Sequence, residues 1–426
     1  MSAGAERQAA ESVAAIARDL IQFNTTVGDP GHAPIDERAC QEYVASLLDG
    51  AGFEVDMWEP AVADVADHPM FMVGQTWTDR PMVVGRLAGR GRGRSLMFNG
   101  HIDTVPTGDL DAWSVDPWGA ETREGRLYGR GAADMKGGVA TMLAAALELA
   151  KRHDLAGDLV VEVVTDEEVN GMGTIAVTRR GYRADAAIVP EPTGLDIWIA
   201  FRGILNGTLE IDGRPGHVEV AQPHWTRGGA VNAVHKSIEV LSLLRGLNEE
   251  WRSRPDKQHP LCSTGEINVT KIAGGEFYST VPERCEATLN VCYVPGEEDD
   301  SGYGGRVKAE IETRLQGIAA LDPWLAQHPP SLRWAVDFPP AEIADEEAIV
   351  RELAATVETF GRTPRVLGLD TWDDTVTLIR EAPMPAVSFG PGSNDQAHAT
   401  DEWVSLGELG QCAEMLTRFA ARWCRG

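Results

Sequence analysis

No stretch of the chain approaches the ~20 consecutive apolar residues that a membrane-spanning helix requires, which excludes a span of that kind. Basic residues are scarce: 38 Lys and Arg stand against 65 Asp and Glu, a net charge of −27. Such a field repels phosphate backbones and anionic lipid surfaces, so neither nucleic acid nor a membrane is an expected partner. The six cysteines, Cys40, Cys262, Cys285, Cys292, Cys412 and Cys424, include no C-x-x-C pair, which argues against a disulfide framework. They read as buried apolar side chains in the reduced state. The opening segment lacks a basic stretch followed by an apolar run, so a cytoplasmic location is expected. Repeats are absent, and 43% hydrophobic with 24% charged residues is an ordinary globular composition. At about 150 residues per domain the length suggests two to three domains.

What is present is a strand–helix rhythm. Val13, Ile16 and Leu20 share one helical face, as do Cys40, Val44 and Leu47, so two amphipathic helices open the chain. Short apolar runs follow at Leu96–Phe98, Leu159–Val164, Ala186–Val189 and Ala386–Phe389, each ending in polar residues, as strands buried on both faces do. Lys136 to Lys151 between the first two has helical spacing. This pattern is α/β, with helices flanking a mostly parallel sheet. From about 200 to 340 the pattern changes to two helices alternating with four strands, an α+β unit of ferredoxin-like type inserted into the first domain. The expected division is therefore 1–199 with 341–426, and 200–340.

The residues able to hold a metal fall at the ends of the apolar runs. His101, Asp103, Glu167, Glu168, Glu191 and His398 all lie there or in the loop beyond, and Asp134 stands directly before a helix. In open α/β sheets that edge binds ligands. His101 and Asp103 are two apart, so in extended backbone they project to one side, and the carboxylate can hold the imidazole. Glu167 and Glu168 would repel one another at a buried strand's rim unless a cation holds them, and one can ligate while the other stays free as a base. Gly89-Arg90-Gly91-Arg92-Gly93 lacks G-x-G-x-x-G spacing and leads into a strand. It reads as a hairpin turn, which removes a nicotinamide-dependent oxidoreductase from consideration.

Taken together, Gly100-His101-Ile102-Asp103-Thr104-Val105-Pro106, Gly129-Arg130-Gly131-Ala132-Ala133-Asp134-Met135-Lys136-Gly137-Gly138, Asp166-Glu167-Glu168, Glu191-Pro192-Thr193, and Gly390-Pro391-Gly392 through Ala397-His398 to Asp401-Glu402 resemble the dizinc amidohydrolases. That family includes acetylornithine deacetylase, succinyl-diaminopimelate desuccinylase, aminoacylase and glutamate carboxypeptidase. The resemblance implies a zinc-peptidase-like catalytic domain. In it Asp134 bridges two Zn²⁺, with His101 and Glu191 completing one site and Glu168 and His398 the other. Neutral imidazole and carboxylate also suit Co²⁺ or Mn²⁺. Asp103 would orient His101, Glu167 would be the general base, and a cis peptide is implied at Asp134–Met135.

The inserted unit resembles the family's dimerisation domain through Gly216-His217, Gly228 to Ala233, and Ile272-Ala273-Gly274-Gly275 before Val281-Pro282. A homodimer is thus implied, with His217 reaching the partner's site to stabilise an oxyanion and Asn232 near the substrate. One departure stands out: Cys292 occupies a place where the family usually has an arginine for the substrate carboxylate. Arg202 is the candidate replacement. The expected activity is deacylation of an N-acylated amino acid or related small molecule. A metallo-exopeptidase and a catalytically silent metal-binding protein are the alternatives, and a free base beside a ligand argues against silence.

Overall fold

A computed structural model describes residues 3–28 and 36–425. The chain divides into two compact units, one of residues Met1–Ile199, Glu342–Gly368 and Asp373–Gly426, the other of Ala200–Ala341 and Leu369–Trp372.

The first unit is built on a sheet that is parallel at its centre. Strands Leu159–Val164, Leu96–His101, Ala187–Val189 and Ala386–Ser388 lie side by side and run the same way. All are buried along their length, which is why they appear as unbroken apolar runs. The edges are antiparallel: Met82–Leu87 pairs with Leu159–Val164, Glu54–Trp58 pairs with Met82–Leu87, and Ser388 pairs with Trp198. The two outer strands Glu54–Trp58 and Met82–Leu87 escape the sequence reading.

Helices cover both faces. Adjacent strand residues point to opposite sides, so Asn99 meets Thr174 of helix Met172–Arg180 while the Cα of Gly100 faces Met135 and Val139 at the start of helix Lys136–Arg152. A Cβ at Gly100 would lie 3.0 Å from the Met135 methyl, so glycine permits the close approach. Helices Ala3–Gln22, Lys136–Arg152 and Leu406–Trp423 pack together, with Leu20, Val139, Leu143, Leu409, Leu416 and Phe419 fully buried.

The glycine run 89–93 is not a hairpin turn. The strands on either side of it do not pair; Leu159–Val164 inserts between them and bonds to both. The glycines are needed for packing, since a Cβ at Gly93 would lie 2.2 Å from the Cys424 carbonyl oxygen.

The second unit is a four-stranded antiparallel sheet in the order Glu266–Gly274, Arg284–Tyr293, Gly203–Asp212, Ser331–Phe338. Helices Ala233–Trp251 and Gly305–Gln316 cover one face, burying Leu205, Leu209, Leu289, Val291, Val240, Leu244 and Ile311 in a core of its own. The alternation along Gly203–Asp212 marks a sheet with one face packed and one less covered. Edge strand Glu266–Gly274 is exposed from Asn268 onward.

Candidate metal centre

His101 is the last residue of its strand and is only 1% exposed. Its Nδ1 lies 3.0 Å from the Asp103 carbonyl oxygen and 3.6 Å from the Asp103 carboxylate. The carbonyl can only accept, so Nδ1 carries a proton and Nε2 is the nitrogen left free to ligate a cation. Nε2 faces Asp134 Oδ1 at 3.3 Å, Glu167 Oε2 at 3.7 Å and Glu191 Oε1 at 3.7 Å.

The Asp103 carboxylate has a second duty. It accepts the backbone N–H of Glu167 at 3.3 Å and of Glu168 at 3.0 Å, fixing the turn that carries both glutamates. Asp166, immediately before them, has φ +79°, a left-handed conformation that side chains other than glycine rarely take. The turn is held from behind by Arg80, which donates to Asp166 Oδ1 at 3.0 Å and to Glu37 Oε2 at 2.6 Å. The two glutamates diverge. Glu167 turns toward His101, and Glu168 Oε2 lies 3.0 Å from His398 Nε2, which is also 3.6 Å from Asp134 Oδ2. The peptide Asp134–Met135 is cis.

Two overlapping groups of candidate ligand atoms result, one of His101, Asp134 and Glu168, the other of His101, Glu167 and Glu191, each with its atoms within 4.8 Å of one another. His398 Nε2 reaches Asp134 and Glu168 from the side of the first group. Distance alone does not distinguish Glu167 from Glu191, because both stand 3.7 Å from the same imidazole nitrogen.

The donor set fits divalent cations. His101 Nε2, Glu168 Oε1 and Glu191 Oε1 are buried without a hydrogen-bond partner, a costly arrangement that coordination would relieve. Burial, followed by repulsion among the neighbouring carboxylates, drives the Glu191 carboxyl well above its ordinary range and Glu168 to about 7. Glu167 is also driven well above its range by burial, against the pull of His101. Burial works against a charged His101, but the facing Asp134 carboxylate and the other acids around it outweigh that and raise its pKa. The protein alone thus gathers protons here, and cation binding displaces them.

Sequence reasoning passes over Arg80 and quotes Arg130 and Glu402 within motifs without giving them a role; the three residues are 7%, 2% and 0% exposed. The available signal is Glu402 itself, an acid between the polar His398 loop and the strand Trp403–Ser405. The substrate-side candidates lie in the second unit. Arg202 donates from Nε to the Asp370 carbonyl at 2.8 Å and from Nη1 to the carbonyls of Ser263 and Thr264 at 3.3 and 3.0 Å. Cys292 is 8% exposed with Sγ 3.6 Å from Asn290 Oδ1, and Asn232 caps helix Ala233–Trp251 by accepting the His235 N–H at 3.1 Å. His217 is exposed, and its Nδ1 accepts the Glu219 N–H at 3.2 Å.

A sheet edge where carboxylates and the His101 and His398 imidazoles converge on orphaned ligand atoms is the lining of a metal centre. The profile of peptidase family M20/M25/M40 matches residues 97–422, and the chain belongs to that family, whose members are metal-dependent hydrolases of amide bonds. The chain is 31% identical over 429 residues to a succinyl-diaminopimelate desuccinylase of Rhodospirillum centenum, covering 97% of each chain. It is 27% identical over 430 residues to the N-formyl-4-amino-5-aminomethyl-2-methylpyrimidine deformylase of Bacillus subtilis, covering 97% of this chain and 95% of the relative. Its fold is similar to that of a dinuclear metal-binding M20 peptidase from Bacillus subtilis, with a TM-score of 0.65, 13% identity and 98% of each chain covered. No helix among the described residues is long and apolar enough to cross a membrane.

Proposed function

We propose that the protein is a dizinc deacylase of small N-acyl compounds, with Asp134 shared between the ions, His101 and Glu191 on one side, Glu168 and His398 on the other. Co²⁺ or Mn²⁺ can substitute. The observation that carries this reading is the divergence of Glu167 and Glu168 from the turn pinned by Asp103. Ions held there supply Lewis acidity, lowering the pKa of water and polarising the amide carbonyl. Glu167 takes the water's proton on its carboxylate and delivers it to the leaving nitrogen. Asp103 keeps His101 in the tautomer that ligates and keeps Glu167 aimed.

The assembly we infer is a cytoplasmic homodimer joined through the second unit. Its edge strand exposes Val269 (44%) and Ile272 (53%), and the outer face of helix Ala233–Trp251 exposes Ile238 (59%). An exposed, apolar strand edge is a template for pairing, and an antiparallel copy of itself satisfies it. His217 of one copy then serves the site of the other. With Nδ1 already accepting a backbone N–H, its Nε2 bears the proton and can donate to the oxyanion.

On the substrate, Cys292 is the informative residue. A thiol cannot replace the two-pronged guanidinium–carboxylate contact, and Arg202 already donates to three carbonyls. The name of the deformylase relative describes an N-formyl aminomethylpyrimidine, which carries no carboxylate. Both support an acylated amine without an α-carboxylate as the substrate. The test is a screen of metal-loaded protein against N-formyl and N-acyl amines, N-acyl amino acids and dipeptides. Turnover confined to dipeptides makes the protein an exopeptidase and overturns the deacylase reading.

A further inference from the structure

Glu402 lies outside the ligand set, yet its carboxylate reaches the loop that carries Asp134. Oε1 accepts the backbone N–H of Ala133 at 2.8 Å and of Asp134 at 3.0 Å, and Oε2 accepts the N–H of Gly131 at 3.0 Å. Arg130 Nη1 donates to Oε2 at 2.6 Å. Arg130 in turn donates to the carbonyl of Ala399, the residue after His398, and to that of Pro106, three residues past Asp103, both at 3.2 Å. Glu402 and Arg130 are 0% and 2% exposed. One buried ion pair therefore ties together the segments that bear His101, Asp134 and His398.

Four donors meet on the Glu402 carboxylate, and the Arg130 guanidinium reaches three acceptors. Backbone N–H groups converging on a buried anion hold that anion and the loop rigidly with respect to each other. His398 itself has φ +61°, so its loop is held in a backbone conformation that needs outside support. Ligand placement within a fraction of an ångström governs metal affinity, and partners behind the ligands set it.

We propose that Glu402, acting with Arg130, is a positioning residue that fixes the distance between Asp134 and His398 and thereby the affinity for the cation on the His398 side. This rests on the ligand assignment proposed above. The pair bonds the Asp134 backbone and the residue next to His398 directly, whereas on the other side it reaches only Pro106, five residues past His101, and does not bond Glu191, so the two cations respond unequally.

The experiment measures Zn²⁺ binding to purified full-length protein by competition with a chromophoric chelator, together with the Co²⁺ absorption spectrum. The variants are Glu402→Gln with Arg130→Met, which removes both charges at once, Arg130→Lys and His398→Ala. The expected result for the double variant is one cation bound within about threefold of wild type and the other weakened about 10- to 100-fold, with an altered Co²⁺ spectrum. Arg130→Lys keeps the charge beside Glu402 but loses the fork that reaches Ala399 and Pro106, and weakens the same cation by a smaller factor. It decides the matter if the double variant does not fold. Wild-type affinity and spectrum in these variants, while His398→Ala loses one cation, overturns the positioning role alone. Two cations at wild-type affinity in His398→Ala overturns the ligand assignment and the inference with it.

Discussion

Glu168 Oε2 and His398 Nε2 lie 3.0 Å apart although 230 residues separate them in the chain. The contact joins a turn after one central strand to a loop far beyond another, and Asp134 Oδ2 stands 3.6 Å from the same nitrogen. Three segments with no local relationship thus converge on a volume suited to one cation.

Removing metal should abolish activity and lower thermal stability. Cations that bind only the native chain stabilise it by mass action, about 2.7 kcal/mol at a free concentration 100 times Kd. Dialysis against a chelator followed by Zn²⁺, Co²⁺ or Mn²⁺ should restore both turnover and Tm. Full activity after complete stripping, verified by elemental analysis, contradicts the proposal.

Glu167→Gln should lower kcat at least ~10²–10⁴-fold, because it removes the proton acceptor while preserving shape. Metal content should stay near that of wild type. A variant that instead loses a cation makes Glu167 a ligand, a role its 3.7 Å distance from His101 Nε2 makes worth testing.

Ile272→Glu puts charge on the exposed edge strand and should shift the protein from dimer to monomer in sedimentation analysis, with loss of activity. Mixed dimers of Glu167→Gln and His217→Ala subunits should regain one working site each. No recovery on mixing argues against catalysis across the dimer.

Burial pushes the Glu162 carboxyl up to about 8 from its ordinary 4.5. It sits opposite Asn99, which donates to Oε2 at 3.1 Å, and its other oxygen is buried without a partner. An acid raised in the folded state contributes stability that is whole below its unfolded pKa and lost as pH rises through about 8. Glu162→Gln should therefore match wild type near pH 5 and exceed it by a few degrees in Tm near pH 9. A constant difference across that range assigns the pH dependence elsewhere.

Arg202→Ala should cost thermal stability, since three backbone carbonyls lose their donor. The ratio of kcat/KM for an N-acyl amino acid to that for its amide should not change. A drop confined to the free acid makes Arg202 the carboxylate anchor after all.

The chain's own pattern determined a good deal. Fully apolar runs such as Leu159–Val164 announce strands buried on both faces, and helical spacing from Val139 to Leu149 places a helix between them, because burial leaves a periodic trace in composition. The ends of those runs also hold His101, Glu167, Glu168 and Glu191, since the C-terminal edge of a parallel sheet is where side chains escape the core. What only the tertiary structure decided is which distant groups meet. The glycine run 89–93 looks like a turn between paired strands until Leu159–Val164 is found between them, because local sequence does not encode strand order. Asp103 looks like a carboxylate for His101, but its carbonyl faces the imidazole and its carboxylate holds the next strand's turn. Glu402 is one acid among 65 in the sequence. Its importance comes from the N–H groups of Gly131, Ala133 and Asp134 converging on it, and hydrogen bonds between residues 268 to 271 positions apart leave no periodic mark in either segment.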